Sequence, residues 1–375
     1  MISHNLTYTY RRSKMDWKEY RVNKRLNNLK PTDIEKAYTL IANIDGVKNS
    51  WYLTKKLSGK IIERLTQSVI ITSTGASNRI EGNRLTDEEV EALYKNLNIK
   101  KLKSRDEQEV AGYLQMLEFI FNNYQEIPIA ESYILQIHKK MLEYSDKDAG
   151  HKGRYKVGSN RVEAKDESGK IIGIIFDPTP PYLVKKEMQE LIDWYIWAMA
   201  NNIKHPLILL ANFIFEFLAI HPFQDGNGRT SRLLTNLILL HQEYHFTTII
   251  SHEKIIENHK ADYYLALNKT QSSWKTAKET IAPWLLFFLN TVQLQATQAF
   301  ELLESGTIEH LLSPKQLSLW QWALQNETLE FSRKDAVQAL GFPERTVESI
   351  IKKLLTMKRL HRLGEGPATR YKVIK

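Results

Sequence analysis

The sequence predicts a mainly α-helical chain with one β-hairpin in its larger part and a winged helix-turn-helix module at its end. Three observations predict this. Apolar residues recur at helical spacing through most of the chain, one glycine-punctuated stretch is rich in Val and Ile instead, and the order of elements changes after Ser313.

Taken in order, Ile34, Ala37, Tyr38, Ile41 and Ile44 mark a helix from Asp33, and helical periodicity continues to about Leu97, with a second helix over 57–72. Further helices are predicted over 106–123 and 130–144. Gly150, Gly153, Gly158 and Gly169 then punctuate a stretch in which VGSNRVEA and KIIGIIF flank the polar turn KDESG, the pattern of two paired strands. FDPTPP ends that pair, because proline cannot donate to a ladder. Helices resume over 182–201, 206–220, 228–241 and 281–303. After Ser313 come a helix from Pro314, a short helix over 332–340, a Gly-Phe turn, a helix over 343–357, and a Gly-interrupted strand pair in RLHRLGEGPATRYKVI.

A chain of 375 residues exceeds one ordinary core, so two or three compact units are expected. These are a helical region over 1–105, a core over 106–305, and a winged module over 312–375. Hydrophobic residues make up 42% and charged residues 25%, with only 16 Gly and 11 Pro, a globular composition. The absence of cysteine excludes disulfides, thiolate metal sites and cysteine nucleophiles, so a metal must sit on oxygen or imidazole. The first residues are charged throughout and no apolar run reaches membrane length, which predicts a soluble, cytoplasmic protein without a membrane partner. From Ser313 onward twelve Lys/Arg face six Asp/Glu, giving +6 of the net +9 and setting the C-terminus apart. There Arg333, Lys334, Arg345, Lys352, Lys353, Arg359 and Arg362 suit DNA phosphates or a protein surface equally.

The chemistry concentrates in HPFQDGNGRTSR, residues 221–232, a polar loop between two apolar helices. Pro222 discourages continuation of the first helix, and Gly226-Asn227-Gly228 lets backbone N–H groups turn inward where the second begins. Such an entry binds anions, because orphan N–H groups and the helix dipole both favour negative charge. Arg229 and Arg232 add cations. A carboxylate beside a phosphate nest is repulsive unless a divalent cation bridges the two, so Asp225 reads as a Mg²⁺ ligand and His221 as the general base. Phe223 reads as a plug into the core. By contrast His241 and His245 in HQEYH lack the glutamate placement of HExxH and a third ligand.

HPFQDGNGRTSR resembles the signature HxFx(D/E)GNGRxxR of the Fic family at all eight specified positions. The resemblance implies a Fic-type helical bundle with a β-hairpin flap, and an enzyme that transfers AMP from ATP, with Mg²⁺, to a Ser, Thr or Tyr hydroxyl of a protein. His221 would take the hydroxyl proton and Asp225 would hold the metal. Gly226, Asn227, Gly228, Arg229, Thr230, Ser231 and Arg232 would bind the nucleotide, with Arg232 reaching the γ-phosphate. Ile174, Ile175 and Phe176 on the flap, and Tyr263 and Tyr264 in ADYYLAL, match pocket positions of relatives.

Upstream, SNRIEG at 77–82 resembles the inhibitory pattern (S/T)xxxE(G/N), which places Ser77 and Glu81 at i, i+4 on a helix. The resemblance implies that Glu81 pairs with Arg232 and competes with the γ-phosphate. Read alone, Glu81-Gly82 is also an ordinary helix end with a C′ glycine. Self-modification, dimerisation and a trailing winged helix occur among relatives. Removal of AMP from a modified protein is the alternative reaction at the same residues, and a DNA-binding regulator with a nucleotide-sensing site is the alternative from another class.

Overall fold

The computed structural model describes residues 15–50, 59–95, 102, 104–160, 162–165, 171–305, 312–325, 329–357, 359–366 and 369–374. The chain divides into two compact units, 1–300 and 301–375.

The first unit begins with α1 (Arg21–Lys24), a 3₁₀ turn (Arg25–Asn28), α2 (Pro31–Asn49), α3 (Gly59–Ile80) and α4 (Asp87–Lys95). It continues with α5 (Arg105–Asn123), α6 (Glu131–Met141), an antiparallel hairpin of β1 (Val162–Lys165) and β2 (Ile171–Phe176), and α7 (Pro181–Ala200). After these come α8 (Pro206–Ile220), α9 (Asn227–His241), α10 (His252–Asn258), α11 (Lys260–Gln271) and α12 (Ala282–Ser305). None of the helices among the described residues is long and apolar enough to cross a membrane.

Two helices form the centre. In α8 every residue from Leu207 to Ile220 is buried, as expected for a helix apolar nearly all round, and α9 buries all but Gly228 and His241, the polar residues of its first turns included. α7 packs on α8, while α5 and α6 pack on α9 and on each other. Burying α8 completely also buries its two polar residues, Asn212 and Glu216. Both are satisfied from the start of the chain: Arg25 Nε donates to Asn212 Oδ1 at 2.6 Å and Arg25 Nη1 to Glu216 at 2.5 Å, while Arg21 also bonds Glu216. The first described turn is thereby tied to the core.

α3 differs from the sequence expectation, running to Ile80 rather than stopping at Thr72. The run STGASN that interrupts the apolar pattern still faces protein. Ser73, Thr74, Ser77 and Asn78 are all buried, with Ser73 Oγ bonding Ser251 Oγ and Asn78 Nδ2 donating to Thr74 O. The predicted start at Leu57 and most of the hairpin turn KDESG lie outside the described residues. α10 and α11 carry no strong apolar stripe and were not among the predicted helices.

The second unit contains α13 (Pro314–Gln325), β3 (Glu330–Ser332), α14 (Arg333–Leu340), α15 (Glu344–Thr356), β4 (Leu360–Leu363) and β5 (Arg370–Val373). Its three antiparallel strands run in the order β3-β5-β4. α14 starts with a reciprocal cap between Ser332 and Asp335 and ends at Gly341 in the left-handed region. Leu319, Phe331, Ala336, Val347, Ile350, Leu354 and Leu360 fill the core. The predicted order of helices and strand pair is present, and the three-residue strand β3 is too short to read from alternation.

Candidate active site

His221 caps α8 in the left-handed region, with φ 52° and ψ 61°. That conformation costs a non-glycine residue about 1–3 kcal/mol and persists only where surroundings impose it. They do so here. Phe223 is fully buried, its ring stacked 3.7 Å from the His138 ring of α6 at an interplanar angle of 2°. Asn227 closes the loop from the other side: its Oδ1 accepts from the Phe223 N–H at 2.8 Å and its Nδ2 donates to the Phe223 carbonyl at 2.7 Å. Gly226, the N-cap of α9, has φ 79°, a conformation that favours glycine, and a Cβ there would stand 2.8 Å from the flexible end of Met141.

The α9 N-terminus receives two opposite charges. Asp225 Oδ1 accepts from the Gly226 N–H at 2.6 Å and lies 3.2 Å from Arg229 Nη2, while its Oδ2 has Arg105 and Lys147 each at 3.7 Å. These cations, led by Arg229, hold the carboxyl below its ordinary value although burial pushes the other way. Arg229 also faces Glu109 of α5 at 3.2 Å.

Arg232, one turn further along α9, is buried against the end of α3. Its Nε donates to Ser77 Oγ at 2.7 Å, and its Nη2 to the Ser77 carbonyl at 3.0 Å and to Glu81 Oε1 at 2.7 Å. Among the described residues Arg232 Nη1 has no hydrogen-bond partner. Glu81 itself follows the last residue of α3, and Gly82 has φ 96°. The helix-end reading and the ion-pair geometry therefore both hold, since the C′ glycine turns the chain just where the glutamate reaches Arg232.

His221 is held neutral. Burial, followed by the nearby Lys156 ammonium, lowers it to about 4. Its Nδ1 lies 3.3 Å from the Leu218 carbonyl, which can only accept, so Nδ1 carries the proton and Nε2 is the basic nitrogen.

Residues 128–239 match the profile of the Fic/DOC family. Over these residues the chain is similar to that family. It is 31% identical over 198 residues to a protein adenylyltransferase Fic of Nematostella vectensis, covering 52% of this chain and 41% of that one. It is 29% identical over 195 residues to protein adenylyltransferase fic-1 of Caenorhabditis elegans, covering 50% and 34%. The match thus spans less than half the length of these curated relatives. Among solved structures, a Fic family protein from Desulfovibrio desulfuricans superposes with a TM-score of 0.58 at 24% identity, over 92% of this chain and 97% of that one. Fic-1 of C. elegans superposes with 0.56 at 18% identity, over 76% and 77%. These two likenesses establish the fold.

Around the loop at 221–232, other predicted residues divide. Tyr263 is buried beside Arg232 and packs edge-on against Trp284, whereas Tyr264 is 40% exposed with its hydroxyl 3.4 Å from the Ile80 carbonyl. Phe176 is buried against Trp274, and Ile174 and Ile175 lie on β2, their side chains outside the described residues. Ser231 Oγ donates to the Gly228 carbonyl at 2.7 Å, and Thr230 is buried against Met141. His241 Nε2 lies 2.7 Å from the Tyr124 carbonyl, and both His241 and His245 rings pack on Tyr124.

Sequence reasoning missed His138. The Gly153 N–H donates to its Nδ1 at 2.9 Å, so its Nε2 carries the proton and donates to the Asp225 carbonyl at 3.0 Å. Burial lowers it to about 4. Its only signal is a lone His beside Ile134, Ile137 and Met141 on a helix face. Glu109, Arg105 and Lys147 were missed too, since each lies far from the loop in sequence.

Proposed function

We propose that the protein transfers AMP from ATP to a Ser, Thr or Tyr hydroxyl of a protein target. The observation that carries this reading is the pairing of a neutral His221, its Nε2 unprotonated, with the N-terminus of α9 six residues later, which has no side-chain cap. A base and an anion site on one rigid loop suit attack of a hydroxyl on a phosphate.

In this mechanism the ATP phosphates lie at the α9 N-terminus, against the backbone N–H groups after Gly226 and the guanidinium of Arg232. The target oxygen attacks the α-phosphorus, the bond from that phosphorus to the oxygen bridging the β-phosphate breaks, and pyrophosphate leaves. His221 Nε2, unprotonated, takes the hydroxyl proton and later gives it to solvent. Asn227 holds the loop through Phe223, so that base and nest keep their spacing. Asp225 suits Mg²⁺: a carboxylate one-third exposed at the mouth of an anion site matches the usual binding of this ion by one or two carboxylates together with substrate phosphates. Bound there, the ion would neutralise charge on the departing pyrophosphate.

In the same reading Glu81 is a brake on ATP use through its contact with Arg232, and the C-terminal unit is a winged helix that recruits DNA or protein. AMP removal is the second reading, favoured by a Glu81 carboxylate that is 36% exposed at the nest and can orient water there. Intact mass after incubation of wild type, Glu81→Gly and Glu81→Gly/His221→Ala with ATP and Mg²⁺ tests the proposal. AMP-sized additions on the chain or an added target, dependent on His221, support it, whereas phosphate-sized additions overturn it. Release of AMP from a modified target by wild type, abolished by Glu81→Gly, would favour the second reading. Binding to duplex DNA that weakens steeply with salt tests the winged-helix role.

A further inference from the structure

Four successive carbonyls, from the last residue of α8 into the loop, are bonded by two residues that precede the hairpin. Lys156 Nζ lies 3.3 Å from the Ile220 carbonyl, and the Lys156 N–H donates to the Pro222 carbonyl at 2.9 Å. Asn160 Nδ2 donates to the His221 carbonyl at 3.1 Å and to the Phe223 carbonyl at 2.7 Å. The two side chains are joined, Lys156 Nζ donating to Asn160 Oδ1 at 2.6 Å. The pattern covers residues 220–223 without a gap and centres on the one residue of the loop held at positive φ without being glycine.

We propose that Lys156 and Asn160 are positioning residues for His221, a clamp that holds its left-handed backbone and thereby aims its imidazole. Side-chain bonds to consecutive carbonyls fix the peptide planes on both sides of His221, which a chain at this conformation needs in order not to relax. Lys156 is 4% exposed, so its ammonium keeps its charge only through oxygens such as these. Burial lowers it to about 8, with Lys275 acting in the same direction and Asp177 and Glu187 opposing. Its charge also reaches the imidazole, which Glu81 and Asp225 influence in the opposite sense. The clamp links the flap base to the base of catalysis, since Asn160 is two residues from β1.

This inference rests on His221 being the base, and its test separates the two. Lys156→Met, Lys156→Arg, Asn160→Ala and Asn160→Asp are made in the full-length Glu81→Gly chain. The parent and these variants are compared by kcat and KM for AMP transfer, by melting, and by NMR titration of the His221 ring carbon, assigned with His221→Gln. Expected are a kcat loss of about 100-fold for Lys156→Met and Asn160→Asp, with KM for ATP changed by less than about twofold. Asn160→Ala should lose less, and Lys156→Arg should recover most of the rate. The His221 titration should move upward in Lys156→Met and return in Lys156→Arg. Folded variants with unchanged kcat and unchanged His221 titration would overturn the clamp, as would parallel losses of melting temperature, ATP affinity and rate. A parent without AMP transfer would remove the functional reading, and the His221 titration would then decide the clamp alone.

Discussion

The Glu81 carboxylate lies so close to Gly228 that a Cβ on this glycine would stand 2.2 Å from Glu81 Oε1. Gly228 is the second residue of α9, so the carboxylate sits over the helix N-terminus where an incoming phosphate would be held. With Arg232 bound to the same oxygen, the carboxylate stands where a terminal phosphate would meet both the guanidinium and the helix end.

Glu81→Gly should therefore raise AMP transfer. A charge-assisted hydrogen bond is worth about 1.5–3 kcal/mol, which as competition with a phosphate corresponds to a gain on the order of 10- to 100-fold at limiting ATP. Initial rates of AMP incorporation in the two proteins check it, and equal rates would rule out the brake. Glu81→Gln, which keeps size and loses charge, should fall between them.

His221→Ala should lower the transfer rate about 10²- to 10⁴-fold, the usual contribution of a positioned base, with ATP affinity by calorimetry unchanged. The low basicity of His221 adds a pH signature. The ring is neutral above about pH 4, so its protonation should not limit the rate between pH 8 and 5. A fall in kcat centred near 6.5 and absent in other histidine variants would contradict the burial argument.

Much of this geometry was legible in the sequence, and the reasons differ by element. The loop at 221–232 carries its information locally, since turn glycines, a flanking helix on each side and alternating charge classes fall within one short stretch. Glu81 was legible only through the pattern around it, and its proximity to Arg232 depends on α3 running past a polar segment that no periodicity marks as buried. His138, Lys156 and Asn160 act on backbone atoms of a segment distant in sequence, and a side chain that bonds carbonyls leaves no trace in residue type or spacing. The tie of Arg25 to Glu216 joins two side chains, and was illegible because they lie 191 residues apart.

Acid should destabilise the fold through three buried histidines. His138, His221 and His252 are each lowered from 6.5 to about 4, chiefly by burial. Between these values the unfolded chain binds protons that the folded chain refuses, so their stabilising contribution is complete above about 6.5 and is lost as pH falls toward 4. Melting temperature followed from pH 8 to 4 should hold until about 6.5 and then decline. Replacing His252, which lies outside the loop and bonds Thr291, by Gln should make that decline shallower. An unchanged slope would mean that other groups carry the acid sensitivity.

Arg25→Ala should be among the most destabilising single changes in the first unit. Arg25 and Glu216 are each 1% exposed, and Arg25 Nη1 also reaches Glu279 at 2.9 Å. Burial alone would raise the Glu216 carboxyl, yet Arg21 and Arg25 outweigh it and hold the group at about 2. Removing Arg25 leaves two buried carboxylates sharing the partly exposed Arg21, a situation that costs about 3–5 kcal/mol. For a unit of this size that corresponds to a melting temperature lower by roughly 10 °C. Arg25→Lys should recover only part, because one ammonium cannot serve Asn212 and both carboxylates in the planar arrangement of the guanidinium. Since Glu216 lies five residues before His221 on α8, AMP-transfer rates on the folded fraction should fall with stability if the tie also sets the helix end. A large melting loss with an unchanged rate per folded molecule would confine the tie to stability.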